Sequence, residues 1–196
     1  QIAKKPILIN DLKLIINVIN EEKNELRRYQ DKALILIGFA GGFRRSELVS
    51  LEYDDIDFVN EGVKIVIKKS KTDQTGVGMT KAIPYFENNN YCPVISLKEW
   101  INLSKIEDGK IFDISDKSVA LKIKKYALLA GLEYKKYSGH SLRSGFATST
   151  ADIGADERSI MAMTGHKTTQ MVRRYIQEAN LFKNNALNKI KLWEKY

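Results

Sequence analysis

The run Ala33-Leu34-Ile35-Leu36-Ile37-Gly38-Phe39-Ala40 constrains this chain more than any other stretch. It lies inside a helical pattern over 24–41 and offers no polar face to water, so the helix must be surrounded. Gly41-Gly42 ends it. The chain has 196 residues and 43% hydrophobic content, enough to wrap that helix within one domain. No apolar run approaches the roughly 20 residues of a membrane span, which favours a buried helix over a lipid-facing one.

The wrapping elements are legible in outline. Asn10 is placed to cap a helix over 11–22. Arg45 to Leu51 reads as a short helix with Arg44 at its start. Ile56 and Phe58, then Val63, Ile65 and Ile67, alternate with polar residues around Asn60-Glu61-Gly62, the pattern of a hairpin. A polar turn over Lys69–Gly76 leads to a third strand at 80–85. Pro93 suits the first turn of a helix reaching about residue 104. Further helices are expected at 116–130, 140–153, 156–164, 168–175 and 179–193, with Gly131, Gly154 and Gly165 as breaks. The fold class is therefore mainly α with a small antiparallel β-sheet.

Lys and Arg number 32 against 24 Asp and Glu, a net charge of +8 that favours polyanionic partners, nucleic acid first. The single cysteine, Cys92, excludes an internal disulfide framework and fits a reducing, cytoplasmic setting. No Cys/His cluster has zinc spacing. No metal and no cofactor are expected.

Both histidines of the chain fall in one short stretch: His140-Ser141-Leu142-Arg143, then Gly165-His166, with Tyr175 nine residues later. His140 and Arg143 share a face if helical. Arg44 and Glu47 repeat the three-residue spacing, and Lys71 lies in the hairpin turn. These are the groups that attack on a phosphodiester requires. Arginines hold the non-bridging oxygens. A lysine with a lowered pKa can protonate the leaving oxygen. An unperturbed tyrosine, with a pKa of about 10, needs roughly 4 kcal/mol to ionise at neutral pH, so a nearby base or positive field must help it.

Gly42-Phe43-Arg44-Arg45-Ser46-Glu47-Leu48, Lys71, His140-Ser141-Leu142-Arg143, Gly165-His166 and Tyr175, in this order, resemble the catalytic domain of tyrosine recombinases, the phage integrase and Xer-type family. The resemblance covers about residues 10–180 and implies the DNA breaking-rejoining fold. It implies Tyr175 as nucleophile, Arg44, Arg143 and His166 as phosphate ligands, Lys71 as the acid and His140 as proton acceptor or orienter. Glu47 buttresses the site. Phe43 departs from the usual Leu or Met, and Lys69 and Lys81 compete with Lys71. The resemblance further implies double-stranded DNA as partner and a homo- or hetero-tetramer on it, at the nucleoid and away from membranes. Residues 1–9 would be the linker from an upstream DNA-clamping domain, and 181–196 a C-terminal helix docking on a neighbouring protomer. Arg173 and Arg174 are placed for DNA phosphates or a solvated face, while Trp100, Trp193, Tyr126, Tyr134 and Tyr137 read as packing or surface residues. Three other readings share some of these residues: a type IB topoisomerase, a catalytically silent DNA-binding protein, and a ribonuclease using two histidines and a lysine.

Overall fold

The computed structural model describes residues 4–68, 78–166 and 168–180. Helix α1 is Ile9–Asn20 and α2 is Glu25–Ala40. Asn24 caps α2, its side chain accepting the Arg27 N–H. Asn10 does not cap α1: the helix begins one residue before it, and Leu8 occupies the cap position with no side-chain bond. Residues 5–7, ahead of α1, are tied down, because Lys5 N–H donates to Lys136 O, Ile7 N–H donates to Ser141 O, and Ile7 is buried.

The apolar run of α2 is buried along its whole length. α2 packs most extensively on α4, Pro93–Ser104, then on α6, Ser141–Asp152, and on α1. Its one buried carboxylate, Asp31, accepts hydrogen bonds from Lys122 and from Tyr126 OH on α5, Asp116–Leu129, which closes the bundle on that side. Tyr137 is buried likewise and donates to Asp11, and Trp100 donates to Ile111 O.

Between α3, Arg45–Ser50, and α4 lies a three-stranded antiparallel sheet of order β1-β2-β3. Its strands are Ile56–Val59, Gly62–Ile67 and Met79–Pro84. Val63, Ile65 and Ile67 of β2 face the core, and across the ladder Ile65 pairs with Lys81 and Val63 with Ile83.

Two short helices complete the described chain, α7, Glu157–Thr164, and α8, Thr169–Asn180. α8 is one helix running past Tyr175 to Asn180, so the expected break between 175 and 179 is absent; Gln177-Glu178-Ala179 contains no Gly or Pro to impose one. Residues 181–193 of the expected 179–193 helix, and Trp193 with them, lie outside the described residues. No helix among the described residues is long and apolar enough to cross a membrane.

Candidate active site

The site begins at the turn that ends α2. Gly42 has φ of 54°, a conformation that L side chains rarely adopt. A Cβ there would also press on Phe146 and Thr164. The turn delivers Arg44 to the start of α3 in extended conformation. Glu47, buried at 5% exposure, binds Arg44 twice: one carboxylate oxygen accepts the Arg44 backbone N–H at 2.9 Å, and the other accepts its guanidinium at 2.5 Å. The sequence spacing alone reads as an ordinary surface ion pair. Burial makes it a mount that fixes both the backbone and the side chain of the arginine.

Arg143 comes from the first turn of α6 and is 2% exposed. Its guanidinium donates to Gly42 O at 2.9 Å, so the two arginines are joined through one turn. Burial first, and then the Arg44 charge, bring its pKa down to about 10 while Glu47 opposes the shift. It remains charged at neutral pH. His140 precedes α6 rather than sitting inside it, and its residue is exposed. Partial loss of hydration, then Arg143, Arg44 and Arg45, hold its pKa below 6.5.

His166 follows Gly165, which ends α7 with φ of 64°. The ring is 7% exposed, and its Nδ1 lies 2.7 Å from Thr164 Oγ1. Thr164 has one hydroxyl proton, directed to Ile160 O at 2.8 Å. Its oxygen is therefore left to accept from Nδ1–H, and the neutral ring presents Nε2 as a lone pair. Burial first, then the charges of Arg143, Arg44, His140 and Lys81, push its pKa down to about 4.

Tyr175 stands on α8, half-buried, with its ring centroid 6.4 Å from that of His166. Its phenol lies close enough to Arg143 to act on that group's charge balance. Arg44, His140, Arg143, Gly165, His166 and Met171 line one cleft of about 270 Å³. A second cleft of about 300 Å³ shares His140 and Met171 and includes Tyr175 and Arg174. Five sequence-selected residues, Arg44, His140, Arg143, His166 and Tyr175, thus line two clefts that share His140 and Met171, while Glu47 is buried behind Arg44.

Lys71 and Lys69 lie outside the described residues. Lys81, the third candidate for the acid, is 1% exposed and donates to Gly41 O at 2.5 Å, so it points into the protein beneath the cleft. Thr164 was not among the sequence candidates. Its signal was only its place two residues before His166. Arg173 pairs with Glu157 of α7 at 3.3 Å. Among the described residues, no three His, Cys, Asp or Glu side chains converge as a metal ion would require.

Comparison with known proteins bears on the family and the fold. The model of the phage integrase family matches residues 7–181. The integrase/recombinase xerD homolog of Selenomonas ruminantium is 47% identical across 97% of this chain and 59% of its own length. Tyrosine recombinase XerD of Proteus mirabilis is 31% identical across 81% of this chain and 50% of its own. The chain thus spans about half the length of these relatives. Among solved structures, XerH site-specific recombinase in a post-cleavage complex with its difH substrate superposes with a TM-score of 0.73 over 94% of this chain and 54% of that one, at 19% identity. XerA recombinase gives 0.72 over 94% and 65%, also at 19%. The fold is that of tyrosine recombinase catalytic domains. With the family match running from the buried strap at Ile7 through the end of the helix that bears Tyr175, the chain belongs to the phage integrase family.

Proposed function

We propose that this chain is the catalytic region of a tyrosine-type site-specific DNA recombinase, acting on double-stranded DNA without metal or cofactor. The observation that carries the reading is the convergence of Arg44, His140, Arg143, His166 and Tyr175 on adjoining clefts. The relatives of similar fold include a recombinase captured with cleaved DNA.

In this reading the scissile phosphate enters between Arg44 and Arg143, whose guanidiniums neutralise the oxygens as charge builds on them. The Tyr175 oxygen attacks phosphorus, and its proton passes to His140, whose lowered pKa leaves it unprotonated at neutral pH. The bond to the 5′-oxygen breaks, and Lys71 protonates that oxygen. The products are a 3′-phosphotyrosyl link and a free 5′-hydroxyl. Attack by a 5′-hydroxyl of a second strand reverses the step and rejoins DNA, with one phosphoester exchanged for another. His166 begins neutral with Nε2 as an acceptor, so holding a phosphate oxygen requires proton uptake. An anion beside it raises its pKa from about 4 and favours that uptake.

Residues 1–9 then lead in from a DNA-clamping domain, 10–180 form the catalytic domain, and 181–196 dock on a neighbouring protomer of a tetramer at the nucleoid. The test uses a randomised pool of nicked duplexes whose cleaved fragment diffuses away. The expected result is a denaturant-resistant protein–DNA adduct that Tyr175→Phe abolishes. An adduct that survives in Tyr175→Phe, or none from the pool, overturns the assignment.

A further inference from the structure

Lys81 is among the largest fully buried side chains of the protein. It occupies the inward phase of β3, the phase of Ile83, opposite Ile65 of β2. An apolar residue would fill this place at no cost in charge burial. Instead its ammonium reaches Gly41 O at 2.5 Å and stands 4.4 Å from the centroid of the Phe43 ring. The next carbonyl, Gly42 O, accepts Arg143 at 2.9 Å. Two cations from separate elements therefore grip consecutive carbonyls of the turn from which Arg44 departs.

We infer that Lys81 is a positioning residue for the proposed cleavage: its buried side chain clamps the Gly41 carbonyl and so holds the turn that carries Arg44 and grips Arg143. This rests on the recombinase reading for its effect on activity, while the clamp itself does not. At 1% exposure Lys81 touches no substrate. The groups around it are Glu47 and Arg44 from the α3 turn, Arg143 from α6 and His166 from the α7–α8 turn. Burial first, with Arg143 and Arg44 adding and Glu47 opposing, brings its pKa down to about 7. The clamp is thus a charge-assisted bond below that pH and a weaker neutral one above it.

Two measurements on this chain test the inference. The first follows the nitrogen-15 shift of Gly42, whose peptide nitrogen is conjugated to the Gly41 carbonyl. Wild type is expected to show a step near pH 7 that Lys81→Arg and Lys81→Met lack, while the histidine steps at lower pH persist in both. A step near pH 7 that remains in Lys81→Arg overturns the clamp. The second measures cleavage at saturating nicked DNA. Lys81→Met is expected to slow it about 100-fold, the loss typical of one preorganising donor, with DNA affinity within about threefold. Lys81→Arg is expected to recover most of the rate and to keep it above pH 7, where wild type falls. Wild-type cleavage by Lys81→Met, or a rate loss matched by lost affinity, overturns the positioning role. If Lys81→Met does not fold, the Gly42 titration and the pH profile of Lys81→Arg decide. If wild type forms no Tyr175-linked adduct, the recombinase reading fails, and the Gly42 titration still decides the clamp.

Discussion

Arg44, Glu47 and Arg143 are mounted on elements that pack into the main core, next to Phe43, Leu48 and Leu142. Tyr175 rides on α8, whose anchoring is a satellite cluster of Ala147, Ala151, Ile160 and Val172, with Tyr175 and Ile176 at its edge. α6 is the shared wall: Leu142 faces the large core, Ala147 and Ala151 the small one. Among the described residues, the half proposed to bind phosphate therefore has a foundation of dozens of side chains, and the half that bears Tyr175 has a small cluster. Local opening free energy follows the apolar contact available to each unit, so the nucleophile helix is the part expected to open first. A binding pocket gains from being preorganised. In the proposed reaction Tyr175 must later release its phosphate ester, which a lightly anchored helix would favour.

Replacing Arg143 is the most direct break of the firm half. Arg143→Ala removes the buried guanidinium that the proposed reaction sets against the phosphate, and it leaves Gly42 O without its partner. Cleavage in nicked duplexes is expected to fall by about 10³, the upper end for one oxyanion donor. Thermal unfolding should report a stability loss of roughly 1–3 kcal/mol from the orphaned carbonyl.

Leu34→Ala and Ile160→Ala remove equal side chains from the two foundations, both essentially fully buried. Leu34→Ala is expected to lower global stability by about 2–5 kcal/mol while the folded fraction cleaves normally. Ile160→Ala should lie at the low end of that range and slow adduct formation, with faster amide exchange confined to α7 and α8. Equal exchange profiles for the two variants would remove the distinction between the halves.

His166 sharpens the comparison through pH. Its folded pKa of about 4 lies below the unfolded 6.5, so the unfolded chain binds the extra proton between those values. Its contribution is complete above pH 6.5 and is lost as pH falls towards 4, amounting to about 3 kcal/mol. His166→Asn should flatten that part of the stability–pH curve measured by denaturant titration. The smallest effect is expected from Arg173→Ala. Its pair with Glu157 joins α7 to α8, but Arg173 is 63% exposed, so roughly 0.5 kcal/mol and little change in adduct yield follow.

Several features of the site were legible because they depend on local chemistry. Arg44 at the start of a short helix, the hairpin of β1 and β2, and the glycine stop before His166 each follow from residues within a few positions of one another. Helix ends were less secure. Asn10 has the chemistry of a cap, yet the tied-down strap of residues 5–7 sets where α1 begins. Lys81 was visible only as one more lysine near Lys71. Its phase with Ile83 on an alternating strand was the available signal, and charge argued against reading it as buried.

What the sequence by itself determined was the central helix, the fold class and the identity of the chemical groups, because apolar periodicity and motif spacing are written in consecutive residues. What only the tertiary structure decided was the state of those groups. The same ion pair, Arg44 with Glu47, is a surface contact or a rigid mount according to burial. The tautomer of His166, the clamp of Lys81 on Gly41 and the light anchoring of Tyr175 depend on which distant elements lie against them. Desolvation and charge proximity act across space, through neighbours separated by more than a hundred residues of chain, and that is information no local pattern contains.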